Sequence, residues 1–96
     1  MPNTTELREQ IESIDEEIID LIATRMEIAD ELAKAKRESS QEYWDKNKEQ
    51  EVISRYLELC EEVSLSGGEA RMIAEVLLRI SKDRQKQLFS RDSAKL

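Results

Sequence analysis

The sequence predicts an all-α chain of three helices in one domain, and three observations predict it. The chain has 96 residues, of which 39% are charged and 4% aromatic, with two glycines and one proline. That composition suits long helices and not a sandwich or barrel full of turns. Apolar residues in the first third recur at alternating spacings of four and three. The interruptions of that periodicity fall in two short places, residues 38–44 and 64–68.

The first helix is expected over about 4–38. Leu7, Ile11, Ile14, Ile18, Leu21, Arg25, Ile28, Leu32 and Ala35 form one stripe of coiled-coil type. Asn3, followed three residues later by Glu6, fits an N-cap arrangement. At 1.5 Å per residue such a helix is roughly 50 Å long. A compact domain of this size has a radius of gyration near ~13 Å, so the remaining residues are too few to cover the whole stripe. A second copy of the chain, related by a two-fold axis, is the economical cover. A homodimer is therefore expected on length alone.

Residues 38–44 read as a connector. Asp45 is the expected N-cap of a second helix, about 45–63, with Val52, Ile53, Tyr56, Leu57, Cys60 and Val63 at helical spacing. Ser64 to Gly68 break the chain, and Ser66 with Glu69 fits a capping box. The third helix is expected over about 67–89, with Ala70, Ile73, Ala74, Leu77, Ile80 and Leu88 facing inward. The polar residues 90–96 are expected to fray.

Several function classes are disfavoured. The net charge of -7 argues against nucleic-acid binding, which needs a basic face. No stretch approaches the roughly 20 apolar residues of a membrane span. The opening Met1-Pro2-Asn3-Thr4-Thr5 lacks the basic and apolar regions of a secretion signal, so a cytoplasmic location is expected. There is no histidine, which removes the commonest general base and metal ligand. The lone Cys60 allows no internal disulfide and sits on an apolar face, as a packed thiol does. No metal and no cofactor are expected.

Polar residues in apolar stripes are the candidates for function. Arg25 occupies a stripe position of the first helix. Taken singly, it reads as a buried arginine paired to a carboxylate or as a register-setting polar residue. Lys36 lies eleven residues on, within about 20° of the same face and about 16 Å along the axis. Taken singly, it is a surface lysine favoured by the helix dipole. Ser81 and Gln85 are polar neighbours one turn apart on the third helix. Asp45, Lys48 and Glu49 open the second helix, where cap and first-turn charges are common. Arg8 is seventeen residues before Arg25, about 100° around the helix and roughly 25 Å along it. It does not easily join Arg25 in one site, but in an antiparallel dimer it reaches the site of the other chain. Together these residues suggest a pocket of cations and amide donors for a small, multiply anionic molecule. Catalysis there would be electrostatic and conformational.

The ordered segments Leu7-Arg8-Glu9-Gln10-Ile11, Leu21-Ile22-Ala23-Thr24-Arg25, Ala33-Lys34-Ala35-Lys36, Asp45-Lys46-Asn47-Lys48-Glu49 and Ser81-Lys82-Asp83-Arg84-Gln85 resemble the all-helical (AroQ-class) chorismate mutases. The resemblance runs from about Leu7 to Phe89 without a gap between these segments. It implies an intertwined homodimer of three-helix chains with two equivalent sites, and rearrangement of chorismate to prephenate in phenylalanine and tyrosine biosynthesis. It implies Arg25 and, from the partner chain, Arg8 on the substrate carboxylates, with Ser81 assisting. It implies Lys36 and Gln85 on the ether oxygen, and Asp45 and Glu49 on the ring hydroxyl. The reaction is unimolecular and pericyclic, needing no proton transfer or covalent intermediate, in keeping with a chain without histidine. Two features depart from the family pattern. Lys48 stands where arginine is usual, keeping the charge but not the planar fork. The connector carries Tyr43-Trp44, a departure that bears on how the site closes, although Trp44 taken singly reads as local packing. Two other readings compete: an isochorismate pyruvate lyase on the same fold, and a non-enzymatic helical dimerisation module. The second explains the stripe but not the polar residues that interrupt apolar faces.

Overall fold

Three capped helices account for nearly the whole chain: α1 (Thr4–Glu38), α2 (Lys46–Glu62) and α3 (Gly67–Ala94). The computed structural model describes the backbone of residues 1–94 and the side chains of residues 1–90. Each helix starts where a side chain can satisfy the free N–H groups of a first turn. Asn3 Oδ1 accepts from Glu6 N at 2.9 Å. Asp45 Oδ1 accepts from Asn47 N at 2.8 Å and Lys48 N at 3.3 Å. At α3, Glu69 N donates to Ser66 Oγ at 3.1 Å while Ser66 N donates to Glu69 Oε1 at 2.8 Å, a reciprocal capping box. These bonds hold the Glu69 carboxyl below its ordinary range, the backbone N–H of Ser66 contributing most.

The exits of α1 and α2 are alike. Ser40 and Ser64 adopt left-handed backbone, at φ 58° and 63°. After α1, Ser40 N donates to Arg37 O and Gln41 N to Lys36 O; after α2, Ser64 N donates to Glu61 O and Leu65 N to Cys60 O. Both are Schellman closures with serine where glycine is commonest. The first one folds the connector back over Lys36.

α3 is the central helix and packs against both α1 and α2. Ile53, Ala74 and Leu78 form a buried cluster, with Trp44, Val52, Tyr56 and Leu57 packed around it. On α1 the buried residues are Met26, Ala29 and Ala33, about 100° round the helix from the Leu/Ile stripe. The alanines at 29, 33, 70 and 74 are all buried, and small side chains let the helix backbones approach closely. An exposed fork, Arg84 Nε and Nη2 donating to Asp30 Oδ1 and Oδ2 at 3.1 and 2.5 Å, joins α3 to α1.

Three sequence expectations need correction. Ile73 and Ile80, expected to face inward, are 43% and 38% exposed. They lie about 100° around α3 from the Ala74–Ser81–Gln85 line that packs inside the chain. Val63 is 66% exposed because it is the C-cap of α2 rather than part of its inner face. The third helix, expected to end at about residue 89, runs on to Ala94, since no glycine or proline follows Gly68 to break its ladder. The Phe89 ring is also held against Tyr43, with centroids 5.7 Å apart. Residues 95–96 of the expected tail lie outside the described residues.

Candidate active site

α1 and α2 flank α3 and leave a hollow between them. It is a cavity of about 270 Å³ lined by Arg25, Ile28, Ala29, Leu32 and Lys36 of α1, Trp44 and Asp45 of the connector, Lys48, Glu49 and Val52 of α2, and Leu78, Ser81 and Gln85 of α3. Seven of the eight residues singled out from the sequence thus share one cavity. The eighth, Arg8, is exposed near the start of α1 and does not line it.

The helical pitch creates this convergence. From Arg25 to Lys36 is three turns of α1, and from Ser81 to Gln85 is one turn of α3. Ser81 and Gln85 are only 4% and 3% exposed, so the polar pair is built into the α1–α3 interface. Each member meets one cation. Arg25 Nη1 donates to Ser81 Oγ at 2.9 Å, and Ser81 Oγ in turn donates to Met26 Sδ at 3.4 Å. Lys36 Nζ donates to Gln85 Oε1 and to the Tyr43 carbonyl, both at 3.3 Å.

These contacts orient the cations without neutralising them. An ammonium has three protons, and two long contacts leave Lys36 a donor to spare. Gln85 accepts through Oε1, which leaves its amide N–H groups as donors. Arg25 is half-buried and meets a hydroxyl, not a carboxylate. The buried ion pair that its position could equally have signified is not what the fold builds.

The mouth of the cavity is acidic as well as basic. Asp45 spends one oxygen on the α2 cap. Glu49 is half-buried, and its Oε2 accepts from Trp44 Nε1 at 3.0 Å. Lys48 lines the cavity, but its ammonium pairs with Glu51 at 3.2 Å on a largely exposed side chain. With three cations and two carboxylates the lining carries one net positive charge within a chain of net charge -7. Five apolar side chains, Ile28, Ala29, Leu32, Val52 and Leu78, supply the rest of the wall.

A hollow of this size, mostly apolar with a few convergent donors, is what a small-molecule site looks like. Its donors converge without histidine, cysteine or a paired nucleophile, so it suits a reaction steered by shape and charge. The described residues contain no group of three metal-ligating side chains. Comparison with known proteins names the reaction class. The family model for chorismate mutase type II matches residues 7–86. The chain belongs to that family. Its activity is accordingly that of an isomerase acting on chorismate. The intracellular chorismate mutases of Mycobacterium tuberculosis and Mycobacterium bovis are each 32% identical to it over 84 residues, covering 88% of this chain and 73% of theirs. Among the described residues no helix is long and apolar enough to cross a membrane.

Sequence reasoning missed Trp44, which forms part of the cavity wall. Its position beside Asp45 was the available signal, since a residue next to the cap of α2 must lie at the cavity mouth. The apolar wall residues were also missed as site residues, because their spacing is that of ordinary core.

Proposed function

We propose that the α1–α2–α3 cavity is where the chain rearranges chorismate to prephenate, and that two copies of the chain complete it. One observation carries this reading: Ser81 and Gln85, both buried, aim Arg25 and Lys36 into one histidine-free cavity.

The rearrangement breaks the C–O bond between ring and enolpyruvyl group and forms a C–C bond in the same step. The work left to the protein is to hold the compact conformer and to stabilise negative charge that grows on the ether oxygen. In this reading Lys36 and the Gln85 amide donate to that oxygen, and their bonds strengthen as charge develops. Arg25, seated by Ser81, receives one carboxylate through its guanidinium fork. Asp45 and Glu49 take the ring hydroxyl. Lys48 contributes a point charge at the rim, and its pairing with Glu51 yields readily because exposed pairs are weak. No metal or cofactor takes part.

The second carboxylate is assigned to Arg8 of the partner subunit. Leu7, Ile11, Ile14, Ile18 and Leu21 are each between 45% and 71% exposed, a continuous apolar stripe uncovered by the chain's own helices. The radius of gyration, 17.1 Å, exceeds the ~13 Å of a compact domain this size. A second copy laid antiparallel covers the stripe and brings its Arg8 toward the cavity. A location inside the cell, as the names of the mycobacterial relatives indicate for those proteins, fits a metabolite substrate.

The decisive assay is incubation with chorismate, read as loss of its ultraviolet absorbance and appearance of prephenate. Subunit mixing tests the shared site. Arg8→Ala and Lys36→Ala chains, each inactive alone, should regain up to about a quarter of wild-type activity when mixed, because each hybrid dimer has one site free of both changes. Mixtures as inactive as their components would remove the partner assignment.

A further inference from the structure

Trp44 is the chain's single tryptophan, and it stands in the wall of two adjoining hollows. One is the 270 Å³ cavity described above; the other is a wider surface basin. The two share Leu32, Lys36, Trp44, Asp45, Lys48 and Val52, whereas Glu49 belongs only to the inner cavity and Lys82 only to the outer basin. The indole therefore stands between Glu49 and Lys82, and it contacts both. Its Nε1 donates to Glu49 Oε2 at 3.0 Å, and the Lys82 ammonium lies 5.6 Å from the ring centroid. The ring also packs against the Ile53–Ala74–Leu78 cluster, which restricts its rotamer.

The chemistry of the cavity makes this contact consequential. Glu49 is a half-buried carboxylate that shares a cavity with Arg25, Lys36 and Lys48. Left unrestrained, it would be drawn to the nearest cation, filling the cavity and cancelling a charge needed for an anionic ligand. Among the described residues Glu49 makes no ion pair, and its one side-chain partner is the indole N–H. An indole N–H is a neutral donor that cannot be deprotonated here. It fixes one carboxylate oxygen without neutralising the charge, and leaves Oε1 to accept from a ligand hydroxyl. Phenylalanine would keep the packing but could not hold the carboxylate. The cation over the outer face closes the wall from the solvent side.

We infer that Trp44 is a positioning residue that holds the Glu49 carboxylate ready for the substrate's ring hydroxyl and walls the inner cavity off from the outer basin. This rests on the functional reading above. Glu49 accepts that hydroxyl in ground and transition states alike, so loss of its restraint falls on KM and leaves kcat nearly unchanged.

The test is a double-mutant cycle with chorismate as substrate. Trp44→Phe should raise KM about tenfold, the size expected for loss of a hydrogen bond to a charged group, with kcat within about twofold and the thermal midpoint unchanged. In a Glu49→Ala background the same change should alter KM by less than about twofold, since nothing is left to hold. Equal effects in both backgrounds, or a KM that stays put in Trp44→Phe, overturn the inference. Fluorescence gives a second readout that does not depend on the variant folding. Prephenate should change the emission of the wild-type protein saturably, over the concentrations at which it inhibits. Inhibition with unchanged emission also overturns the inference. Wild-type protein that leaves chorismate untouched sinks the functional reading itself, an outcome none of these Trp44 results can mimic.

Discussion

The two halves of α1 follow one sequence rule and meet opposite fates. From Leu7 to Leu21 the four-three stripe is solvent-exposed on the chain's own fold. From Ile22 to Lys36 the helix packs on α3, but through Met26, Ala29 and Ala33, a face turned away from the stripe. The stripe itself remains exposed at Ile28 and Leu32, which line the cavity. A periodic apolar pattern therefore says that a face will be covered, and not by what. In the C-terminal half small residues make the intrachain contact, while the stripe faces a cavity. In the N-terminal half the described residues offer no intrachain partner, and we assign the cover to a second copy.

That contrast can be broken at its most sensitive point first. Lys36→Ala, in the packed half, should lower kcat by two orders of magnitude or more, about 3 kcal/mol of transition-state stabilisation, with KM changed far less. Steady-state kinetics on a variant with wild-type helicity decides it, and turnover near the wild-type value would remove Lys36 from its assigned role.

Ile14→Asp probes the other half. On an isolated chain this exposed position should tolerate the change within about 0.5 kcal/mol. If a second copy covers it, an unpaired charge is buried and association should weaken by about 2 kcal/mol or more per chain. Sedimentation equilibrium would then show monomers at concentrations where the wild type is dimeric, and activity should fall with the dimer. An unaltered association state would mean that this stripe is not the contact.

Arg84→Ala should have the smallest effect. The Arg84–Asp30 fork is largely exposed, so its loss should cost under ~1 kcal/mol at neutral pH. Arg84 holds the Asp30 carboxyl below its ordinary range, first by hydrogen bonding and then, after an opposing desolvation effect, by its charge. A carboxyl lowered in the folded state stabilises the fold above its unfolded pKa, near ~4, and that contribution fades as pH falls through the lowered value. Melting curves of wild type and variant should therefore differ slightly at pH 7 and converge as the pH falls below the lowered value. Curves that diverge in acid would contradict the sign.

Much of this was legible in the chain itself. Caps at Asn3, Asp45 and Ser66 are local chemistry, so the starts of all three helices could be read directly. Seven residues of the cavity wall could be picked out too: Asp45, Lys48 and Glu49 because they open the second helix, and Arg25, Lys36, Ser81 and Gln85 because a polar residue in an apolar stripe signals either a buried partner or a ligand. Choosing between those two was beyond the stripe. Arg25 with Ser81 is a contact across 56 positions, and Lys36 with Gln85 across 49. Ile73 and Ile80 were misread because period alone cannot say which of two adjoining apolar strips of α3 faces the chain's own core.

Three helices, their caps and a set of cations and amides without histidine were readable along the chain, because each depends on neighbours within a turn or two. Three-dimensional packing was needed to make Ser81 and Gln85 buried acceptors, to set Trp44 on Glu49, and to choose which face of each helix turns inward. Those outcomes depend on how α1 and α2 pack on α3, and close packing between distant segments is set by shape and volume that a linear pattern does not encode.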